Sequence, residues 1–283
     1  MPPTRRPRGR PMTSSGENIR LARLFSGSEN AVIVAIDHGL YFGPLPGLID
    51  LPKVIQGLDQ ADGILLSGGM VTHCQEFFAR RASPVMILRL NWATNYLAPW
   101  DYKHSHSVPL MSVQDALRLG ADIVVASLTL KAPDEAEDAR NVEIFARTVR
   151  EKQEAGVPLI CEVYPIGGDY LQPEELQDQV AVGCRMAAEL GADLIKTFYT
   201  GAAFERITAA TPIPIFALGA LKRPTELEAL KLAAEAVGQG ARGIVFGRNV
   251  VQARDPARFL VALKEVVKAG MSPETAASQL DAS

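Results

Sequence analysis

The segment Gly191-Ala192-Asp193-Leu194-Ile195-Lys196-Thr197-Phe198-Tyr199-Thr200-Gly201 decides how the chain is read. A glycine of the kind that ends a helix in a left-handed turn leads at once into an apolar run too short to be a helix. That run, Asp193–Phe198, is nearly continuous in apolar residues, as a strand covered on both faces of a parallel sheet has to be. Between Leu194 and Phe198 the one charged side chain is Lys196.

Outward from this segment the pattern recurs. Short runs at Ala31–Asp37, Gly63–Ser67, Pro84–Leu90, Asp122–Leu128, Val157–Tyr164, Asp193–Phe198, Ile213–Leu218 and Gly243–Gly247 alternate with helix-length amphipathic stretches. Gly120-Ala121-Asp122 and Gly240-Ala241-Arg242-Gly243 introduce strands as Gly191-Ala192-Asp193 does, and Pro84, Pro158 and Pro214 open others. Eight strands with intervening helices predict an α/β fold, a (β/α)8 TIM barrel, which takes roughly 250 residues. An open doubly wound sheet is the alternative. The chain has 283 residues, 47% hydrophobic and 22% charged, enough for one such core. Residues 17–283 are assigned to a single barrel domain. Residues 1–16, with Arg5, Arg6, Arg8 and Arg10 among prolines, are read as a disordered basic tail. A short helix, Glu17–Phe25, is expected before the first strand.

Composition removes several function classes. A net charge of −3 gives no general attraction to nucleic acid or to an anionic membrane surface. No apolar run reaches the ~18 residues of a membrane helix. Cys74, Cys161 and Cys184 lack paired spacing, which argues against a disulfide framework or zinc site and fits a cytoplasmic setting. The long third connection, Asn91–Val108, is rich in aromatics and reads as a lid or a subunit contact. His104 and His106 within it are read as solvated, so no metal is expected.

Barrel enzymes carry their chemistry at the C-terminal ends of the strands. Alternation places Leu194, Lys196 and Phe198 on one face, Ile160, Glu162 and Tyr164 on another, and Ile33, Ala35 and Asp37 on a third. If these faces point inward, Asp37, Tyr164 and Lys196 meet near the top, with Glu162 one layer lower. Burial disfavours an ammonium, and a neutral lysine attacks carbonyls to form a Schiff base. The bland reading of Lys196 is a structural ion pair with Glu162 or Asp37. After the seventh strand comes Leu218-Gly219-Ala220-Leu221-Lys222-Arg223-Pro224, and after the eighth Gly247-Arg248-Asn249. Loops at these two places are the usual phosphate site of the fold, and arginine binds two phosphate oxygens together.

Four segments, Ile36-Asp37-His38-Gly39, Tyr164-Pro165-Ile166-Gly167, Ile195-Lys196-Thr197-Phe198-Tyr199-Thr200-Gly201 and Gly247-Arg248-Asn249, carry a resemblance. The chain resembles the archaeal-type class I fructose-bisphosphate aldolases, a pattern shared with the aminodideoxyheptulosonate synthases and the thiolase of autoinducer breakdown. The resemblance runs from about residue 18 to about residue 270. It implies Lys196 as Schiff-base lysine, Tyr164 as proton donor and Asp37 as proton acceptor. It also implies that Gly219, Gly247 and Arg248 hold a substrate phosphate. His38 and Ala220 are added as candidate substrate-binding residues and Glu162 as candidate electrostatic support. No cofactor is implied, and family members are frequently homo-oligomers, decamers among them.

The chain also departs from the pattern. The family usually has two glycines in the seventh-strand loop, where Ala220 adds a methyl. Ser127 stands where the heptulosonate synthases tend to have histidine. Tyr164 matches aldolases and synthases better than the thiolase, whereas Gly201-Ala202-Ala203-Phe204-Glu205-Arg206-Ile207 is closer to the thiolase. The expected activity is therefore a metal-independent aldolase acting on a phosphorylated ketose such as fructose 1,6-bisphosphate. The alternatives are a transaldolase-like heptulosonate synthase, a coenzyme A-dependent thiolase, and a non-catalytic scaffold barrel.

Overall fold

The computed structural model describes residues 14–96, 100 and 102–281; most of the basic tail lies outside them. Eight parallel strands, Ala31–Ala35, Gly63–Ser67, Val85–Arg89, Ile123–Leu128, Leu159–Val163, Leu194–Phe198, Ile215–Leu218 and Gly243–Phe246, form one closed barrel. They are the first to eighth barrel strands below, and each lies inside the segment expected for it. Every strand pairs with its neighbours in sequence, and the first pairs with the eighth, Ala31 opposite Gly243. The sheet is closed, not the open doubly wound alternative.

Alternation sorts the strands into two layers. Ile33, Leu65, Ile87, Val125, Ile160, Leu194, Phe216 and Val245 fill the interior as one cluster, and their sequence neighbours pack against the helices in another. The first helix, Ser15–Phe25, starts two residues earlier than expected because Ser14 accepts the Glu17 N–H as its N-cap. Its Leu21 and Leu24 join the interior cluster, and Phe25 meets Phe216 with ring centroids 5.9 Å apart. The helix thus plugs the bottom of the barrel.

Three aspartates at the starts of strands repeat one device at that bottom end. The backbone N–H groups of Asp62, Asp122 and Asp193 donate to the carbonyls of Val32, Met86 and Leu159 at 2.9, 2.9 and 3.0 Å. Each carboxylate accepts in return from the N–H of the same residue, at 2.8, 3.0 and 2.8 Å. Each is also neutralised by a cation, Lys268, Arg23 and Lys152 respectively. The Gly-Ala-Asp turns therefore do more than stop a helix: Gly191, at φ 105, turns the chain so that Asp193 closes the ladder.

The two ends of the third connection are anchored. Asn91–Ala93 and Ser107–Pro109 pair as an antiparallel ribbon. Asn91 fastens it to the fourth strand, donating to Ser127 Oγ at 2.8 Å and accepting from the Ser127 N–H at 2.9 Å. No described helix is long and apolar enough to cross a membrane.

Lys152 is buried and bridges Asp193 at 2.8 Å and Glu17 at 3.3 Å. Lys152→Ala would leave two buried carboxylates without their cation. The expected loss is about 3 kcal/mol of stability in urea denaturation; a change below about 1 kcal/mol would contradict this role.

Candidate active site

Inward alternation brings the ends of the first, third, fifth and sixth strands to one small cavity of about 60 Å³ at the top of the barrel. Asp37, Glu162, Tyr164 and Lys196 all line it, as do His38, Gly219, Ala220, Gly247 and Arg248. The residues proposed from the sequence for catalysis and substrate binding therefore line one cavity. The layering differs in one respect. Parallel pairing sets Glu162 directly beside Lys196, not a layer below it, because the strands of a barrel are staggered.

The charges form a connected set. Lys196 Nζ is ion-paired with Glu162 Oε1. The other Glu162 oxygen is held by Arg89 and by the Tyr96 hydroxyl, which donates to it. Arg89, 1% exposed, also reaches Asp37, with Nε at 3.0 Å and Nη2 at 2.9 Å, both on Oδ2. The ion pair of Lys196 with Glu162 is thus present, while Asp37 pairs with Arg89. Tyr41 and Tyr96 flank the guanidinium, each ring centroid 5.7 Å away. Burial alone would raise the Glu162 carboxyl; Arg89 and Lys196 outweigh it and hold the group well below the usual carboxylate range. Burial pushes the Tyr164 phenol well up, with Asp169 and Glu162 adding to the effect, so it stays protonated. Its hydroxyl donates to Asp169 Oδ2 at 3.1 Å.

Arg89, Tyr96 and Asp169 were not read from the sequence. Arg89 had a signal: Val85, Ile87 and Arg89 share the inward face of the third strand, and the charge at its top mirrors Lys196. Tyr96 and Asp169 come from irregular connections, where no periodicity reports direction.

The seventh and eighth loops build the other edge. Asn249 stitches them, donating to the Gly219 carbonyl at 2.9 Å and accepting from the Arg223 N–H at 2.8 Å. A Cβ on Gly219 would lie 2.9 Å from Asn249 Nδ2 and from Phe246; one on Gly247 would lie 2.2 Å from His38 Cε1. Both glycines are thus required by the protein's own packing, beyond any approach to an anion. Arg248 donates from Nη2 to the Ala220 carbonyl at 2.8 Å, and its Nε is buried without a partner. Ala220 sits at φ 51, a left-handed conformation that suits the glycine usual in the family pattern.

His104 and His106 are not merely solvated. Glu137 is ion-paired with His104 Nδ1, and its Oε1 lies 3.9 Å from His106 Nε2. Two imidazoles and a carboxylate are donors that a divalent transition ion accepts. They stand apart from the cavity around Lys196.

Burial pushes His38 down to about 4, Asp37 opposing and Lys196 and Arg248 assisting. Between that value and the ordinary 6.5 the unfolded chain binds a proton that the folded chain refuses. Stability is therefore expected to fall as pH drops through this window, and His38→Gln should flatten the slope in denaturation measured from pH 7 to 4. An unchanged slope would show that other groups set it. Separately, Ala220→Gly is expected to raise stability by about 1 kcal/mol, since the left-handed conformation costs a residue with a Cβ roughly 1–2 kcal/mol. A destabilised variant would mean the methyl is held by favourable packing.

Comparison with known proteins gives the family. The family described as DeoC/LacD family aldolase matches residues 31–253. An uncharacterized aldolase of Saccharolobus solfataricus is 31% identical over 257 residues, 89% of this chain and 94% of that protein. A 3-hydroxy-5-phosphonooxypentane-2,4-dione thiolase of Yersinia enterocolitica is 33% identical over 264 residues, 92% of this chain and 85% of the relative. Among solved structures, an archaeal fructose 1,6-bisphosphate aldolase superposes with a TM-score of 0.73 at 31% identity, covering 88% of this chain and 98% of its own. A Schiff base forming fructose-1,6-bisphosphate aldolase gives 0.74 at 30% identity, with the same coverage. With the family match spanning most of the barrel, the chain belongs to the DeoC/LacD family of aldolases.

Proposed function

We propose that the chain is a metal-independent class I aldolase that breaks or makes a C–C bond of a phosphorylated ketose, such as fructose 1,6-bisphosphate, through an iminium on Lys196. The observation that carries this reading is the buried Lys196 beside an ionised Glu162, in one small cavity with the Tyr164 phenol and the Asp37 carboxylate. The Lys196 ammonium gives up a proton to become the attacking amine and adds to the ketone carbonyl, and Tyr164 relays the two protons released from nitrogen to the carbonyl oxygen, which leaves as water. The iminium accepts the electron pair of the neighbouring C–C bond as Asp37 takes the proton of the adjacent substrate hydroxyl, releasing an aldehyde. Both contacts of Arg89 fall on Asp37 Oδ2, which leaves Oδ1 for that hydroxyl. Glu162, held ionised, stabilises the positive charge of the iminium. The ketone's phosphate would rest against Arg248 and the loop backbone at Gly219, Ala220 and Gly247, with His38 beside it.

The relatives named as thiolases favour a second reading, acyl transfer to coenzyme A at the same lysine. Tyr164 separates the two.

Incubation with dihydroxyacetone phosphate followed by borohydride is expected to leave a reduced adduct on Lys196, found by mass spectrometry and absent in Lys196→Ala. Tyr164→Phe is expected to lower kcat for cleavage by about 10²-fold or more. No adduct with any of a panel of phosphorylated ketones would sink the proposal. Activity strictly dependent on coenzyme A and indifferent to Tyr164→Phe would replace it with the second reading.

A further inference from the structure

We propose that His104, His106 and Glu137 form a site for one divalent transition ion of the zinc class, which clips the third connection to the helix Glu135–Ala155. The ion is structural and the reaction at Lys196 does not pass through it. The site stands whether or not the aldolase reading holds.

Each of the three residues offers a ligand atom within 4.8 Å of the other two. Glu137 Oε1 is paired with His104 Nδ1 and lies 3.9 Å from His106 Nε2. Donors around a tetrahedral zinc sit roughly 2.0–2.2 Å from the ion, and so about 3.4 Å from one another. The close pair has to open slightly and the distant one to close. Both imidazoles can turn to do so, being 49% and 62% exposed. They already lie parallel, with 9° between the ring planes and 5.7 Å between centroids.

The backbone holds the two histidines in this arrangement. Thr94 Oγ1 donates to the His104 carbonyl at 2.6 Å and accepts from the His106 N–H at 2.9 Å. The Thr94 N–H donates to the His106 carbonyl at 3.2 Å. Burial alternates exposed, buried, exposed over residues 104–106, which puts both rings on one side and Ser105 on the other. The helix side is equally fixed. Glu137 Oε2 accepts from the Ser105 N–H at 3.1 Å. One turn on, Asn141 donates to the Ser105 carbonyl at 2.9 Å and accepts from the Ser107 N–H at 3.3 Å. Ligands positioned before the ion arrives cost little ordering entropy when it binds.

The donor set selects the ion. Imidazole nitrogen suits zinc, nickel and copper, whereas magnesium and calcium take oxygen ligands. Two imidazoles and a carboxylate supply three protein ligands, and water completes the fourth position. A proton held between His104 Nδ1 and Glu137 leaves to solvent as the ion enters, since the coordinating imidazole has to be neutral. Glu135 and Asp138 add negative charge to the same helix start, which offsets its positive dipole end. The simpler role, an ion pair of Glu137 with His104 alone, needs no second ring, yet His106 is held parallel and within reach of the same carboxylate. The segment so clipped runs from Thr94 to Tyr96, whose hydroxyl donates to Glu162. The ion thus steadies the strap that carries Tyr96 to the site.

Calorimetric titration of the chelator-treated full chain with zinc chloride is expected to show one ion bound per chain, with micromolar or tighter affinity. Magnesium chloride should give no binding. His106→Gln leaves the Glu137–His104 pair and the backbone bonds in place, and should weaken zinc binding by about tenfold or more. With free zinc at about a hundred times its Kd, the unfolding equilibrium constant of the wild type in urea should fall about a hundredfold. In His106→Gln the fall at the same zinc concentration should be about tenfold or less. No saturable binding by the wild type, equal binding of magnesium, or unchanged affinity in His106→Gln overturns the proposal. The His106 ring is exposed, so the variant is expected to fold, and His104→Gln gives the same test from the second ring.

Discussion

The guanidinium of Arg89, closed off from water between Asp37 and Glu162, is the constraint on which the top of the barrel depends. A lone charge at this depth would cost several kcal/mol, and a single pair often fails to repay its desolvation. Here two cations and two carboxylates make a chain with no net charge: Asp37 to Arg89 to Glu162 to Lys196. Each member is tolerable because the next is present. The consequence for Lys196 is positional, since its amine is held at the mouth by a carboxylate that is itself clamped from the far side by Arg89 and Tyr96.

The bottom of the same barrel handles its buried charges differently. Asp62, Asp122 and Asp193 each spend their carboxylates on the backbone of the preceding strand, and each has a cation from a helix outside the repeat's own strands. Each of these carboxylates is thus paired with both a backbone N–H and a cation. At the top, in contrast, Arg248 Nε, Asn95 Oδ1 and Asp169 Oδ1 are buried with no hydrogen-bond partner among the described residues. The division between a saturated end and an unsaturated end is the physical form of the rule that barrels keep stability at one face and chemistry at the other.

The rim after the seventh and eighth strands shows how a family site tolerates change. Gly219 and Gly247 are required by contacts with Asn249, Phe246 and His38, so they would be needed even without a ligand. Ala220 accepts a left-handed backbone, and its carbonyl is held by Arg248, which is one reason the loop keeps its path without the glycine. Relatives named as thiolases and structures of fructose-bisphosphate aldolases are about equally near in identity, at 33% and 31%.

Much of this was written in the chain itself. The period-two alternation and the glycine and proline punctuation predicted the eight strands and which side chains share a face, because face sharing in a strand follows from parity alone; that the sheet closes and that the faces carrying Asp37, Glu162, Tyr164 and Lys196 point inward came from the structure. The stagger between strands was not legible, and it moved Glu162 from a layer below Lys196 to its side. Arg89 was readable by the same parity on the third strand. Tyr96, Asp169 and the pairing of Glu137 with His104 were not, since a connecting segment has no period from which its direction could be inferred. Sequence by itself determined which side chains share a strand face. Only the tertiary structure decided which of them touch, because contact across a barrel depends on stagger and loop path, and neither leaves a local pattern in the sequence.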